Sequence, residues 1–154
     1  MLDVGTGTGV LALMMAQKSE PGTRVDAIDI DAGAAAQAAL NAAASAWAPA
    51  VRVRQASLQE WAAAVRAAAA RAGPAPWGAG GGTCSEGHDG GGCGPYDSII
   101  TNPPYFRRSS KPEACGRRAA ARHADVGLPF EELAECCAAL LRPRGELCLV
   151  CLLY

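Results

Sequence analysis

Asn102-Pro103-Pro104-Tyr105 is the stretch of this chain with the most chemistry in it, because it follows the apolar run Asp97-Ser98-Ile99-Ile100-Thr101. A side-chain amide, two prolines and an aromatic ring therefore stand at the carboxyl end of an expected strand. Asn102 offers a carbonyl acceptor and an NH2 donor. Pro103 and Pro104 fix the backbone and carry no N–H, which leaves a carbonyl oxygen open. Tyr105 offers a face for stacking a flat ring, worth roughly 1–3 kcal/mol per base. Together they form a clamp suited to a planar group bearing an NH2, such as adenine or a carboxamide. The Asn102 side chain and the Pro103 carbonyl can hold both amine hydrogens and turn the nitrogen lone pair toward an electrophile. Positioning of this kind supplies on the order of 7–11 kcal/mol. General-base assistance gives roughly 10²–10⁴-fold, only a few kcal/mol. Positioning should dominate, so neither His88 nor His123 is needed as a base.

Near the amino end, Asp3-Val4-Gly5-Thr6-Gly7-Thr8-Gly9 permits a tight strand-to-helix turn against which a ligand can lie. A dinucleotide fingerprint wants G-x-G-x-x-G, with a pyrophosphate at the helix N-terminus. Here the third glycine comes early and Val10 occupies its place, while Asp3 is a poor neighbour for a pyrophosphate. Asp3 suits a cationic ligand instead, such as the ammonium of a methionine moiety. Asp29, at the end of the next expected strand, can take both hydroxyls of a ribose. These features favour S-adenosylmethionine over a nicotinamide dinucleotide. Turn and clamp together imply methyl transfer to a planar nitrogen, which neither implies alone.

The elements that must position these groups alternate along the chain. Met1 to Val4 reads as the end of a strand, and Val10 to Lys18 as a short apolar helix. Thr23 to Ile30 is a strand. An alanine-rich helix runs from about Asp31, a plausible N-cap, to Ser45. Val51 to Gln55 is a strand, Leu58 to Ala72 a helix, and Tyr96 to Thr101 a strand. Leu128 to Leu141 is helical with Pro129 near its first turn, and Gly145 starts a last strand ending near Leu153. This alternation predicts an α/β fold: a mostly parallel sheet of about five strands with helices on both faces. Ligands of such sheets sit beyond the carboxyl ends of the strands. Gly5 to Gly9, Asp29, Ser57 and Asn102 all fall there, so they should share one rim.

Composition bounds the rest. With 154 residues, half of them hydrophobic and 19% charged, the chain suits one packed domain and not a disordered one. A net charge of −1 argues against nonspecific nucleic-acid binding by the whole surface. A local basic run remains in Arg107, Arg108, Lys111, Arg117, Arg118 and Arg122. No apolar run approaches the roughly 20 residues that cross a bilayer, and the amino end has no secretory pattern. An intracellular setting, cytoplasmic or organellar, is expected. Seven irregularly spaced cysteines fit reduced thiols better than a disulfide framework. The segment from about 73 to 94 holds two glycine triplets and almost no apolar residues, so a flexible insertion is expected there. Within it Cys84, His88 and Cys93 match no standard zinc spacing, so no metal is expected. Met1 lies only two residues before Asp3 and the chain stops just after a strand. A partial domain, truncated at both ends, is the expectation.

At these residues the chain resembles a class I, Rossmann-like methyltransferase of the amino-methylating group with an N-P-P-Y motif. Within that group it is similar to the bacterial-type tRNA1(Val) adenine N6-methyltransferases. The resemblance rests on the run from Asp3 to Gln17, on Asp26-Ala27-Ile28-Asp29-Ile30-Asp31, and on Ala34-Ala35-Ala36-Gln37-Ala38. It continues through Ser45-Ala46-Trp47, Tyr96 to Phe106, and Ala121-Arg122-His123. It implies that Gly5, Thr6, Gly7 and Gly9 wrap S-adenosylmethionine, with Asp3 near its amino-acid end and Asp29 on the ribose. Ile30, Ser57 and Leu58 join that set, as does Asn102. Ser57 stands where the family commonly has an aspartate touching the adenine amine. Asn102, Pro103, Pro104 and Tyr105 would hold the target base. The resemblance also implies a segment before the first strand and two further strands, which are not expected within residues 1–154.

Three functions stay open on these residues. The first is adenine N6-methylation in tRNA, with Arg107, Arg108, Lys111 and Arg122 holding phosphates while the base is flipped into the clamp. The second is N5-methylation of a protein glutamine, as in release-factor methyltransferases, since a carboxamide presents the same NH2. The third is a truncated module that binds RNA or a partner without turnover.

Overall fold

Period-two apolar runs and helices with one small-residue face assemble around a single sheet. The computed structural model describes residues 1–72, 96–103 and 129–150. Among the described residues the order is β1 (Leu2–Val4), α1 (Val10–Lys18), β2 (Val25–Asp29), α2 (Ala32–Ala43), β3 (Val51–Gln55), α3 (Leu58–Ala72), β4 (Tyr96–Thr101), α4 (Phe130–Leu140) and β5 (Leu141–Leu149). The five strands lie in the order β3-β2-β1-β4-β5 and every pairing is parallel. The expected α/β architecture is therefore present.

Chain direction across the sheet decides where a ligand can sit. From β1 the chain steps outward through β2 to β3, then returns to the other side of β1 to form β4. The carboxyl ends of β1 and β4 thus flank the point where strand order reverses, which is where open α/β sheets bind ligands. Leu2, Asp3 and Val4 pair with Asp26, Ala27 and Ile28 on one side and with Ile99, Ile100 and Thr101 on the other.

Each face of the sheet has its own apolar cluster. On one face Ala12 and Ala16 of α1 and Ala42 of α2 pack on Val25, Ala27 and Val51. Alanines let these helices approach closely. On the other, Leu58, Trp61, Ala62 and Val65 of α3 recur at the spacing of one helical face. They meet Leu133, Cys137 and Leu140 of α4 over Leu2, Val4, Ile28 and Ile99. A polar chain closes this core at the amino end of the strands. Trp61 Nε1 donates to Tyr96 Oη at 3.1 Å, and Tyr96 Oη donates to Asp26 Oδ2 at 2.8 Å. Burial, reinforced by the Asp26 carboxylate, pushes the Tyr96 phenol well above its usual range.

Boundaries move in informative places. Asp31 caps α2 as expected, its side chain accepting from Ala34 N at 2.7 Å. Pro129 is the N-cap of α4, just outside the helix. The last strand starts at Leu141, before the expected Gly145, because Arg142-Pro143-Arg144-Gly145 bulges while staying in the sheet: Tyr96 pairs with Leu141, but Ser98 pairs with Glu146. The expected glycine-rich insertion lies outside the described residues, as do residues 151–154. No described helix is long and apolar enough to cross a membrane.

Candidate functional site

The turn after β1 is built by hydrogen bonds to its neighbours. Gly5 N and Thr6 N both donate to Ile28 O, at 2.9 and 3.0 Å, folding the turn over the end of β2. Gly7 N donates to Asp29 Oδ2 at 2.8 Å, and Asp31 N donates to Asp29 Oδ1 at 2.9 Å. From α2, Asn41 Nδ2 donates to Thr8 O at 2.8 Å. Gly5, Gly7 and Gly9 have φ of 69°, 58° and 85°, the left-handed region that disfavours side chains. Gly9 is also pressed against α2, since a Cβ there would lie 3.2 Å from Ala38 Cβ. At Gly5 and Gly7 a Cβ would meet nothing within 4 Å among the described residues, so the backbone there is open to a ligand.

Asp3 is the chemically unusual member of the turn. It is completely buried. Its Oδ2 accepts from Thr6 Oγ1 at 2.6 Å and from Ala12 N at 3.0 Å, while Oδ1 is buried with no hydrogen-bond partner among the described residues. Burial raises its pKa above the ordinary carboxylate value, partly offset by the Thr6 and Ala12 bonds. A buried carboxylate oxygen without a donor costs free energy unless something supplies one. A cation or N–H group of a ligand in the turn could do so.

Register brings the clamp's first residue to this turn. Val4 pairs with Thr101, and Thr101 Oγ1 donates to Val4 O at 2.9 Å inside the core. The next residues, Gly5 and Asn102, leave the sheet side by side. Asn102 is exposed and Pro103 half-buried. Pro104, Tyr105, Arg107, Arg108, Lys111 and Arg122 lie outside the described residues, as do Cys84, His88, Cys93 and His123.

On the far side of β2, Ala56 N donates to Asp29 O at 2.9 Å, so the end of β3 joins the same rim. Ile30 there is 71% exposed, unusual for a large apolar side chain. The expected pair Ser57 and Leu58 divides. Leu58 packs its side chain into the core, so only its backbone is left for the rim. Ser57 is the N-terminal half of a capping box on α3. Its Oγ accepts from Glu60 N at 3.2 Å and donates to Glu60 Oε2 at 2.8 Å, and Ser57 N donates to the same oxygen at 3.0 Å. Sequence reasoning passed over Glu60, although Ser57-Leu58-Gln59-Glu60 carries the S-x-x-E signal. It also passed over Thr101 and Asn41, whose partners lie far away in the chain.

Residues 1–70 match the family described as a methyltransferase domain. Over 152 residues, 97% of this chain and 50% of the relative, the chain is 37% identical to a tRNA1(Val) (adenine(37)-N6)-methyltransferase of Aeromonas hydrophila. Proteins of the same name from Erwinia tasmaniensis and Klebsiella pneumoniae are 34% and 33% identical over 150 residues, again 97% of this chain and 49% of theirs. The chain is therefore similar to class I methyltransferases. It spans about half the length of the curated relatives it matches. The reversal point between β1 and β4 is the rim that carries Asp3, the glycine turn and Asn102.

Proposed function

We propose that this chain transfers a methyl group from S-adenosylmethionine to the N6 nitrogen of an adenine in tRNA. The observation that carries the reading is the β1–β4 register, which sets Asn102 beside a glycine turn holding a buried, unpartnered carboxylate oxygen. The residues present fit the cofactor. Asp3 Oδ1 can accept from the methionine ammonium, and the open space over Gly5 and Gly7 lets the ligand approach the backbone. Each Asp29 oxygen already accepts one backbone N–H, and each keeps capacity for a ribose hydroxyl. The exposed Ile30 side chain offers an apolar face for the adenine ring.

S-adenosylmethionine supplies an electrophilic methyl on a sulfonium. The chain's own residues present the acceptor. Asn102 and the Pro103 carbonyl take the two amine hydrogens and aim the lone pair, and Tyr105 stacks on the ring. The lone pair so aimed would take the methyl, and the amine's surplus proton would pass to solvent. Arg107, Arg108, Lys111 and Arg122 serve as phosphate contacts for the flipped nucleotide. The names of the relatives support tRNA as the acceptor over a protein glutamine. In this reading the chain is one domain with an insertion at about 73–94, and it works inside the cell, where tRNA is.

The test uses labelled S-adenosylmethionine with bulk tRNA, and nucleoside analysis for N6-methyladenosine. Asn102→Ala should lower transfer at least about 10³-fold, within what lost positioning can cost, while cofactor affinity stays close to wild type. Transfer by the variant near the wild-type rate would overturn the clamp. Methylation of a release factor but not of tRNA would move the reading to glutamine. A silent calorimetric titration with S-adenosylmethionine would leave only a non-catalytic module.

A further inference from the structure

We propose that Glu60 recognises the adenine of the cofactor, accepting its 6-amino group on the free carboxylate oxygen Oε1. The inference rests on the reading of the chain as an S-adenosylmethionine enzyme. With the ribose on Asp29, a base lying on Ile30 extends away from β1 and toward β3, the next strand of the sheet. There the end of β3 is tied to the end of β2 by Ala56 N to Asp29 O and by Gln55 Nε2 to Ile30 O at 3.5 Å. What the edge of the base meets beyond Ala56 is the start of α3.

Two side chains at that helix start could accept the amine, and the structure separates them. The single proton of the Ser57 hydroxyl is given to Glu60 Oε2, and one of its lone pairs takes Glu60 N. Ser57 Oγ keeps one lone pair, but a neutral hydroxyl is a weaker acceptor than a carboxylate oxygen. Glu60 Oε2 is committed, taking both Ser57 N and Ser57 Oγ. Its Oε1 accepts nothing among the described residues, yet those two bonds pin the whole carboxylate in place. Glu60 is exposed and lines one open cleft of about 490 Å³ together with Arg54, Gln55, Ala56, Trp61 and Ala64, so among the described residues the carboxylate faces free space. The Ser57 hydrogen bonds also hold the Glu60 carboxyl below its ordinary value, so at neutral pH it is an acceptor only. An acceptor-only group attracts a 6-amino purine and repels a 6-oxo purine, which makes Glu60 a specificity residue. Asp3 Oδ1, at the opposite end of the rim, independently marks the same ligand site.

The test compares S-adenosylhomocysteine with S-inosylhomocysteine, the 6-oxo analogue, by calorimetry on the intact chain and on Glu60→Gln. Wild type should prefer the 6-amino ligand by about tenfold, as expected for one hydrogen bond to an ionised partner. Gln keeps an oxygen for Ser57 N and turns an NH2 toward the base. The variant should therefore bind the 6-oxo ligand at least as well as wild type does, with the preference erased or reversed. That result also shows the variant folded. Equal weakening of both ligands would mean that Glu60 acts only as a helix cap, and would overturn the proposal. So would a wild-type preference that survives in Glu60→Gln, or a wild type that binds both ligands equally. A wild-type chain that binds neither ligand overturns the parent reading and this one with it.

Discussion

Replacing Asp3 by Asn separates a ligand-binding carboxylate from a structural one. The substitution is nearly isosteric, and the remaining oxygen can go on accepting from Thr6 Oγ1 and Ala12 N, as Oδ2 does now. What changes is Oδ1, which is buried and has no partner. In the free protein the carboxylate pays a desolvation cost there, and the raised pKa expresses that cost. An amide removes the charge but leaves unpaired N–H groups, so stability at pH 7 should stay within about 1 kcal/mol of wild type, or rise. Ligand binding should move the other way. Loss of one hydrogen bond between ionised partners, about 1.5–3 kcal/mol, weakens S-adenosylhomocysteine roughly ten- to hundredfold.

The pH dependence follows from the same oxygen. The folded pKa of Asp3 is raised, so the folded chain holds a proton that the unfolded chain has already released. Its contribution is fully present below the unfolded pKa and is lost as pH rises through the folded value. Urea unfolding of the free wild type should therefore lose stability across that interval, and Asp3→Asn should not. Ligand affinity should rise across the same interval in wild type, as the carboxylate ionises to meet the ammonium, and stay flat in the variant. Calorimetry and urea titration read both. A variant that loses several kcal/mol of stability yet keeps wild-type affinity would refute the reasoning, because Asp3 would then be a structural acid.

Three further substitutions test the geometry. Tyr96→Phe should cost about 1–3 kcal/mol in urea unfolding, because it strands Asp26 Oδ2 and Trp61 Nε1, and should leave cofactor affinity unchanged because these groups lie at the amino end of the sheet. The raised Tyr96 phenol also makes wild-type stability fall as pH climbs past about 10, the unfolded tyrosine value, a fall that Tyr96→Phe should lack. Gly9→Ala should destabilise the chain by about 1–3 kcal/mol, combining a left-handed φ with a 3.2 Å approach to Ala38 Cβ. Gly5→Ala, with the same backbone strain but open space, should cost about 1–2 kcal/mol, with its additional loss in ligand affinity.

How much of this was legible in the sequence depended on the range of the interaction. The glycine turn was readable because left-handed φ values leave few residue choices, and Asp31 because a helix cap acts over three residues. The rim was readable because β-α alternation dictates parallel strands, and parallel strands share a carboxyl edge. Tyr96 was not, since its partners are Asp26 and Trp61 and nothing local to β4 announces them. The start of β5 was hidden by Pro143 and Gly145, which read as a loop. In the structure they form a bulge in which Arg144 takes a φ of 70° and Arg142 pairs with Asp97. A Cβ on Gly145 would lie 2.9 Å from both Leu141 Cδ2 and Tyr96 O, so that glycine is needed for close packing.

Ser57 shows what position alone leaves out. At the end of β3 and beside Asp29, it lies where a ligand contact belongs, and its hydroxyl is chemically able to make one. Its hydrogen bonds are nevertheless spent on Glu60. A hydroxyl has one proton to give, and here a carboxylate takes it. In the proposed reading the capping box does more than stabilise the helix: it also holds a glutamate carboxylate toward the ligand with one oxygen free. Asp29 works by the same economy in the opposite sense. Its two oxygens hold Gly7 N and Asp31 N in the free protein, so the turn is already closed around the proposed ribose position before a ligand arrives. Preorganisation of that kind lowers the ordering cost of binding. It is a property of paired groups, one on each of two strands, that no single residue in the chain displays.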